Sequence, residues 1–407
     1  MKLRTGFLIG CSIFVVQAHA GFGTNSIGIG AQARGFAGAG TALNLGYESI
    51  YSNPALMRAM GNYELSIGGS YQDSTTTAIN EDAIFVSANS STTTSESPYQ
   101  LNSTMGFVKN FNQSLSFGAA SYTVSNFGAN YADTKLRNGL GGISSALKVQ
   151  QVTPAVSFKY QDFSVGLAMP ITYGSFSLGY YDGTRYVSAG QSQDTAVSFN
   201  LGAAYQRQSF AVGFTYKTQA ELTYNNQLKE FAEDFNMEGI VSSDDLAVPG
   251  EYTLAFAYFL NKDLTLIADY KVIAWNEASG YQDLGWDEQT VMAFAVSYKI
   301  NNTTIRSGYS TTESPLGSDA IKNSQRSTPN NGQSLNYLNL IAMPALITSH
   351  IGMGVGHKFS ANFDIDASFV YGLENSAKAR YNSGSANMDY ESKRSETSLS
   401  IIGNFRY

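Results

Sequence analysis

Thr397-Ser398-Leu399-Ser400-Ile401-Ile402-Gly403-Asn404-Phe405-Arg406-Tyr407 ends the chain. From Leu399 every second residue is apolar or Gly, the residues between are mostly polar, and the last is aromatic. A strand with one face in lipid and the other in a polar lumen has this period. The pattern recurs. Tyr252, Leu254, Phe256, Tyr258 and Leu260 share one face, as do Met292, Phe294, Val296, Tyr298 and Ile300. Phe363, Ile365, Ala367, Phe369 and Tyr371 repeat it, and so do Phe210, Val212, Phe214 and Tyr216.

Fourteen such segments are expected, near 62–72, 101–110, 113–124, 150–160, 162–171, 195–206, 208–218, 250–261, 263–274, 288–300, 303–311, 348–359, 361–372 and 396–407. A tilted membrane crossing needs about 9–11 residues per strand. The connections alternate between one- or two-residue turns, such as Phe111-Asn112, Arg207 and Lys262, and long links. This alternation, the even strand number and the aromatic content predict an all-β, 14-stranded antiparallel transmembrane barrel over residues 62–407. Both chain ends then fall on the periplasmic side. A soluble sandwich would need a second apolar layer that the polar alternation does not supply.

The N-terminus agrees with export. Lys2 and Arg4 precede an apolar stretch from Gly6 to Val16, and Ala18-His19-Ala20 is a small-x-small cleavage site, so residues 1–20 read as a signal peptide. Leu8-Ile9-Gly10-Cys11 resembles a lipoprotein processing site, but too few apolar residues precede Cys11. Cys11 is the only cysteine, and it leaves with the signal. Charged residues make up 14% of the chain, against a usual ~25%. Without Lys2 and Arg4, 23 basic residues face 32 acidic ones, a balance of −9. No basic footprint for a nucleic acid exists.

Residues 21–61 do not alternate over a full crossing. A segment of this length at the inner end of a barrel can fold into its lumen as a plug. Gly28-Ile29-Gly30-Ala31-Gln32-Ala33 formally matches a dinucleotide fingerprint, but no βαβ unit surrounds it. Its glycines instead suit tight backbone packing. Of the two later histidines, His350 is expected on the luminal face with Gly352, Gly354 and Gly356, and His357 near the inner turn, too far away to share a metal. Asp269, Lys271, Asp364 and Asp366 are expected to point inward as ordinary luminal residues. Leu228, Phe231, Ala232 and Phe235 follow a helical period within Asn225–Gly239. That helix either packs on its own loops or offers a greasy surface for capturing an amphiphile. The link 312–347, rich in Ser, Asn, Gly and Pro, reads as an irregular loop.

Gly21-Phe22, the run Arg34–Gly40 and Asn53-Pro54-Ala55 together resemble the N-terminal hatch of the FadL/TodX family of outer-membrane transporters. Gly213-Phe214-Thr215-Tyr216-Lys217, Pro249, Leu284-Gly285-Trp286 and Pro344 before His350-Ile351-Gly352 follow in the same order. The resemblance implies uptake of hydrophobic small molecules, long-chain fatty acids or aromatic hydrocarbons, by a monomer in the outer membrane of a Gram-negative cell, among its lipids. It implies no enzymatic activity, metal or cofactor. Asn53, Pro54 and Ala55 match the hatch motif, and Gly21 and Phe22 the segment lining the ligand path. The family's lateral exit at a kinked third strand would fall near Ser121–Gly128, with Ser125, Asn126, Phe127 and Gly128 on the path. Two other readings stay open: a porin for small polar solutes, and an outer-membrane hydrolase or adhesin.

Overall fold

The computed structural model describes residues 21–82, 91–96, 99–132, 142–182, 185–321, 324–325, 331–382 and 387–407. Residues 1–20, expected to be a signal peptide, lie outside them. Among the described residues, fourteen strands close into an antiparallel barrel. They are β1 (Tyr63–Asp82), β2 (Gln100–Asn110), β3 (Leu115–Asn130) and β4 (Ser144–Tyr160). Two strands come in two pieces, β5 (Phe163–Ala168 and Ile171–Tyr181) and β6 (Ser192–Val197 and Asn200–Gln206). Next come β7 (Phe210–Lys217), β8 (Glu251–Phe259), β9 (Leu264–Ile273), β10 (Gln289–Ile300) and β11 (Thr303–Thr312). β12 (Ser349–Lys358), β13 (Phe363–Asn382) and β14 (Asn387–Arg406) complete the wall. The ladder from Arg406↔Glu64 to Met388↔Asp82 joins β14 to β1, so no sheet edge is left open. No described helix is long and apolar enough to cross a membrane.

The expected alternation is the wall's own burial pattern. On β8, Tyr252, Leu254, Phe256 and Tyr258 are exposed, while Glu251, Thr253, Ala255 and Ala257 are buried. The exposed apolar face is the lipid contact. Aromatic rings gather at the short-turn end, where Tyr63 stacks on Tyr407 and Phe163 packs against Tyr205. These are girdle positions at the membrane interface.

The wall is uneven in height. β1, β13 and β14 each run 20 residues, far beyond the twelve or so read from the sequence. At ~3.3 Å per residue they rise well past an apolar band ~25 Å tall. Their outer halves lose the apolar alternation, as in Ser74-Thr75-Thr76-Thr77. Periodicity therefore registered only the lipid-facing part of each strand. The 312–347 link also differs from expectation. It contains a helix, Asn331–Tyr337, continued by a π turn, Leu338–Ala342, whose residues are all buried. The Ser/Asn-rich composition of the whole link hid the apolar run Leu338–Ile347 at its end.

Residues 21–61 sit inside the barrel, with Phe22, Ile27, Phe36, Tyr47, Ile50 and Met57 each at most 2% exposed. Below them a charged row lines β1, β11, β13 and β14. Arg306 bonds Asp366 at 2.7 Å and Gln32 at 3.2 Å, and Arg406 bonds Glu64 at 2.8 Å and also Asp364. Asp364 and Asp366 are thus engaged through both oxygens, since Asn404 donates to the second oxygen of each.

Candidate functional site

Asn53 organises the luminal segment. Its Oδ1 accepts from the Ala55 amide at 3.1 Å, capping the turn Pro54–Leu56 with Pro54 at the first position, where no amide is needed. Its Nδ2 donates to the Thr41 carbonyl at 3.0 Å and to that of Ala203 on β6 at 3.3 Å. One buried side chain therefore ties two arms of the segment to the wall. The wall makes room by omitting side chains. A Cβ on Gly166 of β5 would stand 2.2 Å from the Pro54 carbonyl carbon, and one on Gly202 of β6 2.3 Å from Asn53 Oδ1. The Asn-Pro-Ala turn is legible in the sequence but this glycine window is not, because its partners lie more than 100 residues away.

Three further anchors hold the segment. Glu48 accepts from the Gln32 and Ala33 amides at 3.0 and 2.9 Å, the free N-terminal donors of the short helix Ala31–Gly35. Burial pushes the Glu48 carboxyl up to about 7, against the pull of those two amides. Arg34 reaches back to the Gly28 carbonyl at 2.8 Å and across to Ser398 of β14 at 2.5 Å. Burial lowers its guanidinium to about 10, which leaves it charged. Asp269 of β9 accepts from the Gly40 and Thr41 amides.

The start of the segment meets β3. Gly21–Phe22 and Asn25–Ser26 form a small hairpin, and Asn25 bridges to Ser125. Ser125 Oγ donates to the Thr24 carbonyl at 2.7 Å. Here β3 departs from a regular wall. Its ladder to β4 shifts register between Thr123 and Ser125, and its ladder to β2 ends at Met105↔Ser121. Above that rung an Asn126 to Asn102 side-chain bond at 2.9 Å links the two strands. Burial alternation lapses as well, since Tyr122, Thr123, Val124 and Ser125 are all buried. The strand runs unbroken through the segment 121–128 and is distorted by a bulge. An extra residue forces the side chains to change faces.

Two recesses flank Asn25. The smaller, about 240 Å³, is lined by Gly21, Asn126, Phe127, Gln72, Arg394 and Glu396 among others. The larger, about 440 Å³, runs from Tyr122 and Val124 to Lys217 and Glu251, past Tyr51 and Asn200. Its outer rim lies where β5 and β6 are interrupted together, at Pro170 and at Ser198-Phe199. Proline has no amide to continue the ladder at that rung. Gly21, Asn126 and Phe127 thus come together at one recess, Ser125 stands at the bridge between the two, and Gly128 packs tightly on the Ser145 backbone. Phe22 lies apart, edge-on to His350 with ring centroids 5.3 Å apart. His350 is fully buried and luminal, whereas His357 is exposed and bonds Thr303. Among the described residues no cluster suits a metal.

The helix in the external links spans Leu228–Asp234. Leu228 and Phe231 are buried beneath their own loops, with Phe231 edge-on to Tyr180. Phe235 is half-buried and stacks on Phe231 at 4.5 Å. The apolar stripe is mostly consumed in holding the cap together, since rings gain more from one another than from water.

A closed barrel with its own N-terminal segment bonded across the lumen narrows the comparison with known proteins. Residues 12–329 match the family model for outer membrane transport proteins (OMPP1/FadL/TodX). The chain belongs to this family. The fold is similar to that of a Pseudomonas aeruginosa FadL homologue (TM-score 0.67, 15% identity, covering 94% of this chain and 99% of that one). It is equally similar to the P. putida toluene transporter TodX (0.67, 15%, 93% and 99%). The Ralstonia pickettii toluene transporter TbuX is close behind (0.64, 16%, 93% and 98%). No curated protein sequence matches the chain. The family places the protein in the Gram-negative outer membrane as a transporter of hydrophobic compounds.

Proposed function

We propose that the protein carries fatty acids or aromatic hydrocarbons passively inward, with residues 21–61 as a hatch and a sideways exit at the β3 bulge. The observation that carries this reading is the hatch itself. Asn53, Arg34 and Asp269 bond it across the lumen and Glu48 ties it to itself, while two recesses remain beside Asn25. The toluene transporters among the structural relatives favour aromatic solutes. An apolar solute gains ~0.8 kcal/mol per buried CH₂, so a recess in a stoppered barrel captures it without a chemical step. Capture begins at the loop cap, where Phe235 is the accessible part of the stripe Leu228–Phe235. The ligand then passes Gly21 and Phe127 and leaves beside Ser125, Asn126 and Gly128, sparing it a crossing of bulk water. One chain suffices, because every barrel strand finds its partners within it.

Deleting residues 21–60 tests the hatch. The intact protein should show negligible single-channel conductance in planar bilayers and the deleted form a large, steady one. Equal, negligible conductance in both would end the gating idea, and a large conductance in both would favour a porin.

A further inference from the structure

Asn200, Lys217 and Glu251 stand in one row across three neighbouring strands. Asn200 of β6 is directly opposite Lys217 of β7, and Lys217 directly opposite Glu251 of β8. All three line the larger recess. Lys217 Nζ lies 3.1 Å from Glu251 Oε1 and 3.5 Å above the Tyr51 ring. Lys271 Nζ meets the same Glu251 oxygen at 3.3 Å, and Asp269 follows on the same face two residues before it. Both ammonium groups therefore meet the one Glu251 oxygen, so Lys217 is already paired.

Asn200 is the odd member. It is 2% exposed. Its Nδ2 donates to the Ile50 and Tyr51 carbonyls at 3.3 and 2.9 Å, which settles which way the amide faces. Among the described residues its Oδ1 has no hydrogen-bond partner. A buried acceptor without a donor is costly, and a buried polar group of this kind calls for one. The recess has an apolar side, formed by Val124, Pro170, Phe199 and Val248, and a polar side that includes Asn25, Gln151 and Ser198.

We infer that the larger recess binds an uncharged apolar molecule bearing one hydroxyl, an alkylphenol or a long-chain alcohol. Its O–H donates to Asn200 Oδ1 and its oxygen accepts from Lys217 Nζ. A pure hydrocarbon fits the walls but leaves Oδ1 unpaired. A carboxylate brings only acceptors to a place already holding Asn200 Oδ1 and Glu251, and its natural partner Lys217 is engaged. This assignment rests on the uptake reading above and specifies the solute for that path.

The test compares three ligands of one shape, 4-octylphenol, octylbenzene and ionised 4-octylbenzoate at pH 8, by calorimetry on the full-length protein in detergent. Octylphenol should bind about tenfold tighter than octylbenzene, and octylbenzoate weakest of the three. Asn200→Leu should bring octylphenol down to the affinity of octylbenzene. Because Asn200 also holds Ile50 and Tyr51, Lys217→Met serves as a second variant and should lower octylphenol affinity several-fold. Equal affinity for phenol and hydrocarbon, or tighter binding of the benzoate, overturns the hydroxyl site and leaves uptake standing. Failure of all three ligands to bind overturns both.

Discussion

β8 and the outer half of β3 are built from similar residues and end in opposite environments. On β8 every second side chain faces lipid and the others face the lumen, with one unbroken register to each neighbour. On β3, Tyr122, Thr123, Val124 and Ser125 are buried in succession, the ladder to β2 stops at Ser121, and the luminal segment bridges to Ser125. The difference teaches where the wall only separates lipid from lumen and where it serves the contents of the lumen. A strand that keeps strict alternation is answering to the membrane. One that loses it is answering to something inside.

That contrast can be broken by experiment. The largest effect is expected from filling the glycine window. Gly202→Val places atoms where Asn53 Oδ1 stands 2.3 Å from a first Cβ. On the proposed reading, the luminal segment should shift off the wall and channel recordings should show openings absent in the parent. Gly239→Ala, where no atom lies within 4 Å, should record as the parent does. A large but purely structural effect is expected on β8. Phe256→Arg puts a cation on the lipid face and should cost about 2–4 kcal/mol if it lies at the midplane, read from urea unfolding in lipid vesicles. Its conductance should not change.

A middle-sized effect should come from pH. The Glu48 carboxyl is held at about 7 in the closed segment against an ordinary 4.5. A carboxyl raised in this way favours the closed state when protonated. Closure should therefore strengthen as pH falls from about 7 to about 4.5, and weaken as pH rises through that window. Opening frequency recorded between pH 4.5 and 8 should follow this curve, and Glu48→Gln should flatten it. The smallest effect belongs to Asn126→Ala, which removes the one side-chain bond to Asn102 above the end of the β2–β3 ladder. It should cost about 1 kcal/mol of stability while speeding solute exit in a vesicle uptake assay. The same substitution pattern on β8 would change stability alone.

Much of the wall was legible one strand at a time. Leu399, Ile401 and Phe405 state their face by period, and short turns such as Arg207 and Lys262 give the order of strands. The Asn53-Pro54-Ala55 turn was legible too, because a cap and a first-turn proline act within three residues. The glycine window at Gly166 and Gly202 was not, since a glycine's reason for being small lies in whatever approaches it. The helix Asn331–Tyr337 was missed because neither its composition nor its links carry a face. The bulge at β3 left only weak marks, Ser125, Asn126 and Gly128.

Composition and period therefore determined by themselves that this chain crosses an outer membrane as fourteen strands, because each crossing must satisfy lipid locally, residue by residue. Tertiary structure alone decided that Asn53 grips β6 and that Glu48 caps a helix 15 residues upstream. It alone decided that Asn200 keeps an oxygen without a partner among the described residues, in one row with the Lys217–Glu251 pair. Those contacts join residues up to 150 positions apart, and only closure of the barrel brings them within hydrogen-bonding distance.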